Sequence, residues 1–233
     1  MKVLVAGSGK VGTALKSFFN GSGISFKEYL KDSEPDGDII FLAISDFVVA
    51  QAVKDITSKN SLIKIVQFTP AIEIAHENQF ILHPYASITK ETDISEIFFS
   101  LWGKQDTVLE TILDHCRLNF FYAGFSPTPG YHTSAVISGN FTQYFVLAAK
   151  KILKDEGFSD EQSSKLIKQL ILTSIDNSLS GGVEKITGPA SRGDDVTIEK
   201  ETAFLELKNK EMSNIFMQIN KLISEAVKSG DIF

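Results

Sequence analysis

At 233 residues the chain can bury roughly 70 to 75 % of its unfolded surface, in one large domain or two small ones. A single cysteine, Cys116, excludes an intramolecular disulfide framework, and a net charge of -6 argues against nucleic acid as a partner, because phosphate binding needs a basic face. No apolar run approaches the ~20 residues of a membrane span, and Met1-Lys2-Val3 enters a strand without a signal-peptide pattern, so the expectation is a cytoplasmic protein with no membrane partner.

Lys2 to Ala6 is a short apolar run, Gly7-Ser8-Gly9-Lys10-Val11-Gly12 follows without a break, and an amphipathic stretch reaches Phe19. This order reads as a buried strand, a tight turn and a helix. A Gly-x-Gly-x-x-Gly there has a mechanical rationale: Gly7 allows the turn, Gly9 lets the backbone approach a pyrophosphate, and Gly12 lets the helix lie close on the strand. The phosphates would rest on unpaired N–H groups at the helix start, which makes Gly7, Ser8, Gly9, Lys10, Val11 and Gly12 cofactor-binding candidates. A βα turn that binds nothing is the alternative.

Asn20 to Gly23 ends the helix, and Ile24 to Tyr29 alternates like a second strand. Glu28 stands near the place where an acidic residue takes ribose hydroxyls, while Lys27 and Lys31 nearby would suit a 2′-phosphate, so the cofactor is NADP or NAD. A solvated strand-end charge is the other reading of Glu28. Between Tyr29 and Asp38 there is too little chain for a crossover helix, and the second crossover is expected to be abbreviated.

Ile39 to Ile44 is a fully apolar strand, as a parallel sheet covered on both faces requires. Ser45 and Asp46 stand at its carboxyl end, where open α/β sheets bind ligands. Asp46 either contacts a cofactor or, the preferred reading, caps the helix from Phe47, whose stripe is Val48, Val49, Ala52, Val53 and Ile56. Further strands are expected at Ile63 to Phe68, Phe80 to Leu82, Ile97 to Trp102 and Asn119 to Ala123, with a helix from Thr107 to Cys116. The alternation is that of a doubly wound parallel sheet.

Phe125-Ser126-Pro127-Thr128-Pro129-Gly130 breaks this pattern, which divides the chain into residues 1–125 and an all-helical part, 126–233. A long helix from Tyr131 to Glu156 is apolar on most sides and is expected to be buried against several neighbours. Ser159-Asp160-Glu161-Gln162 opens a second helix, to about Leu179, with a capping box, and two more run over Asp195 to Leu207 and Glu211 to Val227. So much apolar helical surface on a small domain points to a homodimer.

Two stretches of this part carry chemistry. In the first, Thr133 and Asn140 share a helix face that Tyr144 continues, and a buried Asn140 would bond either backbone or substrate. His132 is a general acid or base candidate, or simply a polar residue at a helix start. In the second, Thr187 to Asp194, Arg192 is one of two arginines in a Lys-rich chain. Its planar fork suits a carboxylate or phosphate, unless it only ties the loop to Asp194. No metal-ligand set is assigned.

MKVLVAGSGKVG, DIIFLAISD, LHPYASIT, YHTSAVISGN and TGPASRGDDVTIEKE occur in the order of a bacterial family of Rossmann-like proteins, which the chain resembles over nearly its whole length. The C-terminal half of that family is a domain of unknown function similar to the helical domain of 6-phosphogluconate dehydrogenase. The family looks related to ketopantoate reductase, pyrroline-5-carboxylate reductase and the deazaflavin-dependent NADP oxidoreductases. The resemblance implies a Rossmann domain, a helical dimerisation domain and a cleft where a nicotinamide meets a small substrate. It implies His83, His132, Asn140, Arg192 and Asp194 as cleft residues, although His83-Pro84 at a strand end is equally a structural stop. Among them Arg192 is expected to hold an anion, His132 or His83 to donate a proton and Asn140 to orient the carbonyl or the nicotinamide amide. The chain departs from the family where Gln67-Phe68-Thr69-Pro70 replaces His-x-Ser-Gly, and at Ala86 and Glu201. Each departure removes a polar group. The expected function is therefore an NAD(P)-dependent oxidoreductase acting on a small, anionic carbonyl or imine, with a non-catalytic nucleotide-binding or sensor protein as the alternative.

Overall fold

A computed structural model describes all 233 residues, which form two compact units, Met1–Tyr144 and Phe145–Phe233. The first begins with β1 (Val3–Ala6), buried at all four positions. Its alternate side chains serve opposite faces of a sheet. Val3 and Val5 join Ala14, Leu15 and Phe19 of α1 (Lys10–Gly21), while Leu4 and Ala6 join Val49, Val53 and Ile56 of α2 (Asp46–Lys59). Covering by helices on both sides is why the strand is apolar throughout. Val48, expected in the stripe of α2, is exposed instead.

The other strands are β2 (Phe26–Glu28), β3 (Ile39–Leu42), β4 (Lys64–Gln67), β5 (Gln79–Pro84), β6 (Phe98–Trp102) and β7 (Asn119–Gly124), in the order β2-β1-β3-β4-β5-β6-β7. β2 is shorter than the alternation suggests because the Ile24 amide bonds the Phe19 carbonyl at the end of α1, not the sheet. Residues 29–38 hold only turns, as the brevity of that stretch requires. Without a crossover helix the chain adds no strand beyond β2 and passes to the other side of β1. The strand order reverses there, between β1 and β3, and their carboxyl ends open a crevice.

One part of the expected sheet is corrected. β6 pairs antiparallel with β5, so β6 and β7 run against the other five strands. The link over 85–97 contains only a 3₁₀ turn at Ile94–Glu96 and reverses the chain, whereas the equally helix-free links over 29–38 and 68–78 keep it parallel. A crossover through α3 (Thr107–His115) then makes β6 and β7 parallel.

The long helix expected after the proline-rich break is present as three joined segments. α4 (Pro129–Ala135) passes through a π-helical stretch, Val136–Phe141, into α5 (Thr142–Asp155). Its burial is corrected: Ile137, Phe141 and Leu147 are exposed. Residues 126–144 pack with the sheet because the Tyr131 ring seats against Trp102 and His83.

In the second unit, Ser159 and Gln162 form both halves of the capping box that starts α6 (Asp160–Ser180). A short α7 (Pro189–Arg192) leads to α8 (Asp195–Lys208) and α9 (Lys210–Ser229). The Ser213 hydroxyl donates to the Thr202 carbonyl and ties α9 to α8. No helix of the chain is long and apolar enough to cross a membrane.

Candidate functional site

The turn between β1 and α1 requires its glycines for different reasons. Gly7 has φ +106°, and a Cβ there would lie 2.0 Å from the carbonyl oxygen of Ala43. A Cβ on Gly12 would come within 2.6 Å of the Gly7 carbonyl oxygen and 3.3 Å of the Ala43 methyl. These two glycines let β1, α1 and the end of β3 pack closely, and Gly12 does not line the crevice. At Gly9 a Cβ would meet nothing within 4 Å. No side chain caps the first turn of α1, so its amides have no side-chain partner.

α2 starts beside this turn. The expected Asp46 cap is corrected: Ser45 holds the capping position, Asp46 is the first helical residue, and the Ser45 side chain makes no capping bond. The Ser45 carbonyl accepts from the Val48 amide, and the exposed Asp46 carboxylate lines the crevice.

The crevice measures about 650 Å³ and runs from Gly7–Val11 past Ile44, Ser45 and Asp46 to Thr69, Pro70, His83 and His132. His83, Pro84, Ala86 and His132 also border a second hollow of about 470 Å³, walled by Ser87, Ser138, Asn140 and Gln143. The two share one wall. Asn140 is exposed, not buried as expected, and Thr133 does not line either hollow, because the π-helical stretch between them breaks the α-helical spacing.

His83 occupies the end of β5. Its Nδ1 lies 2.8 Å from the Tyr131 hydroxyl, and its ring stands 6.1 Å from that of His132, centre to centre. Burial foremost, and then the neighbouring His132, pushes the His83 pKa down to about 4 against the opposing pull of Asp46. The ring is therefore neutral at ordinary pH.

This has a consequence for stability. The unfolded chain takes up a proton at His83 near pH 6.5, and the folded chain only near pH 4. Stability from this site is complete above 6.5, falls as pH drops through that window and levels off below 4. Relative to His83→Gln, the natural chain should lose roughly 2 to 3 kcal/mol between neutral pH and pH 4, after discounting for partial solvent screening. Urea unfolding of both proteins across that range checks it, and parallel pH profiles would contradict it.

Tyr131 was not legible as a site residue, since 48 positions separate it from His83. The same is true of Tyr85, whose hydroxyl lies 2.8 Å from that of Ser134, and of Gln143, which donates to the Ser87 hydroxyl. Gln67, where the resembled family has histidine, turns inward. Its amide donates to the Thr69 and Ile72 carbonyls and accepts from Gln79, which shapes the loop bordering the crevice. Glu28 is held 2.6 Å from Lys16 of α1.

Arg192 and Asp194 belong to the second unit. Asp194 caps α8, accepting from the Thr197 amide and hydroxyl; these bonds first, and Arg192 to a lesser degree, lower its pKa. Arg192 is exposed and takes part in none of the ion pairs.

The sequence profile described as Domain of unknown function (DUF2520) matches residues 102–223. A comparison with curated proteins found no match. Among solved structures, BF3122 of Bacteroides fragilis, named as a candidate NADP oxidoreductase, superposes with a TM-score of 0.79 at 16 % identity, over 96 % of this chain and 98 % of that one. Protein TM1727 from Thermotoga maritima gives 0.68 at 19 % identity, over 98 % and 99 %. The imine reductase from Myxococcus stipitatus in complex with NADP+ gives 0.68 at 16 %, over 99 % and 95 %. At these identities the likeness is one of fold.

Proposed function

The chain belongs to the DUF2520 family, and on that premise we propose that it is an NAD(P)-dependent oxidoreductase that binds its dinucleotide on the Gly7–Gly12 turn and acts on a small carbonyl or imine. The observation that carries this reading is the open space at Gly9, which leads along one crevice to His83 and His132. A volume of about 650 Å³ lies within the range of cofactor sites. The reductase fold of the neighbours, one of them holding NADP+, supports it.

When bound, the nicotinamide supplies or takes the hydride. The chain's own groups do the rest. The free amides at the start of α1 hold the diphosphate, while Ser45 and Asp46 border the same space. His132 or His83 serves the oxygen or nitrogen of the reacting double bond, and Asn140 is a neutral hydrogen-bonding group for orientation. Arg192 keeps, as a proposal, the role of holding an anionic substituent.

Titrating nucleotide-free protein with NADP, NADPH, NAD and NADH tests the reading directly. The preferred nucleotide at about 100 times Kd should add roughly 2.7 kcal/mol and raise the melting midpoint by several degrees. No shift with any of the four at millimolar concentration would end it. The inward turn of Gln67, which removes one polar group from the crevice, favours a second reading, a nucleotide-binding sensor without turnover. Binding with nicotinamide absorbance unchanged across a broad set of keto acids and imines would select it.

The proposal includes a homodimer through the helical part. Leu170, Leu179 and Leu207 leave exposed apolar surface on α6 and α8. Light scattering at micromolar concentration should give twice the chain mass, and a monomer mass would refute it.

A further inference from the structure

Tyr131 stands at the start of α4, and the proposed function leaves it without a part. Its hydroxyl lies 2.8 Å from His83 Nδ1, and the two rings meet edge to face with centroids 5.4 Å apart. A 180° flip of the imidazole would take Nδ1 away from the Tyr131 hydroxyl. A phenol has a single proton to donate, so what surrounds its oxygen decides where that proton points.

Two groups stand behind it. The Trp102 ring is 5.2 Å from that of Tyr131, and Ser100 faces His83 across the β5–β6 ladder. An indole N–H can only donate. Trp102 Nε1 is buried without a hydrogen-bond partner, and the indole beside the phenol offers no acceptor for the phenol proton. His83 Nδ1 is the acceptor that the phenol oxygen meets at hydrogen-bond distance, so the phenol proton turns toward the imidazole.

We propose that Tyr131 is a positioning residue that donates to His83 Nδ1 and thereby holds the imidazole proton on Nε2, making neutral His83 the hydrogen-bond donor to the carbonyl oxygen or imine nitrogen. Nε2 is the ring nitrogen that no protein group takes, and His83 borders both hollows of the crevice. A ring with its pKa near 4 stays uncharged, so it polarises the double bond as a neutral donor. Proton delivery then falls to His132, one ring away. The identity of the acceptor rests on the oxidoreductase reading. The tautomer does not.

The test uses the full chain with isotope-labelled histidine and long-range proton–nitrogen correlation at neutral pH, without nucleotide. His83 should be in the Nε2–H form alone. Tyr131→Phe keeps the ring packing and should give a mixture of tautomers. With an active carbonyl or imine, the variant should also show kcat lower by about 10- to 100-fold at unchanged NADPH affinity. An Nδ1–H form in the natural protein, an Nε2–H signature unaltered by Tyr131→Phe, or an unaltered kcat would overturn the proposal. If the variant fails to fold, the natural protein's spectrum decides alone. Failure to bind any nicotinamide nucleotide would instead remove the oxidoreductase reading and leave the tautomer result standing.

Discussion

Gly9→Val is expected to weaken nucleotide binding by about 100- to 1,000-fold while the chain stays folded. The backbone at Gly9 is extended, with φ -70° and ψ -169°, which any residue adopts, and a Cβ would meet no atom of the protein within 4 Å. Nothing in the fold opposes the substitution. Replacing glycine by valine at a helix cap costs about 1 kcal/mol. The new methyls would fill the space in front of the free amides of α1. Losing two charge-assisted hydrogen bonds to a diphosphate, at roughly 1.5 to 2 kcal/mol each, accounts for the stated loss of affinity. Calorimetric titration with the preferred nucleotide, beside a urea midpoint, separates the two effects. A variant that binds as tightly as the natural protein would show that the diphosphate does not sit on this turn.

Gly7→Ala should do the opposite and strongly destabilise the fold. Its Cβ would be 2.0 Å from the Ala43 carbonyl oxygen and 2.6 Å from the carbonyl carbon, and those are backbone atoms of a buried sheet. The positive φ of +106° adds strain for any L side chain. About 1 to 3 kcal/mol from the backbone and a similar amount from overpacking give roughly 4 kcal/mol. That is a large part of the 5 to 15 kcal/mol typical of a folded chain. A urea midpoint lowered in proportion is the expected result. A midpoint within error of the natural protein would mean that the close approach of β1 to β3 is not as described. The contrast lies between Gly7, which the fold's packing requires, and Gly9, which it does not.

The same contrast shows how much of the candidate site was legible in the amino acids. That Gly7 allows the turn, Gly9 leaves space and Gly12 lets the helix lie close follows from a glycine pattern between an apolar strand and an amphipathic helix, whereas the close approach of Gly7 to Ala43 does not. His83 and His132 could be singled out one at a time, at a strand end and a helix start. That they share a wall, and that Tyr131 bonds one of them, could not be read. The Asp46 cap shows a smaller failure of the same sort, since neighbouring residues compete for one capping position and the helix start settled it a residue earlier. Asn140 lines the second hollow because a π-helical stretch shifts its face, and no spacing rule for an α-helix anticipates that.

The sequence by itself determined the strand–glycine turn–helix opening, the apolar strands, the missing crossover helix between Tyr29 and Asp38, and the capping box at Ser159. Each depends on residues within a few positions of one another, where turn chemistry, periodicity and chain length act directly. Only the tertiary structure decided the antiparallel return of β6, the exposure of Ile137 and Phe141, and the His83–Tyr131 bond. These depend on which surfaces meet after the chain has closed on itself. Sheet register and helix docking place a phenol beside an imidazole at a precision of tenths of an ångström that no local pattern carries.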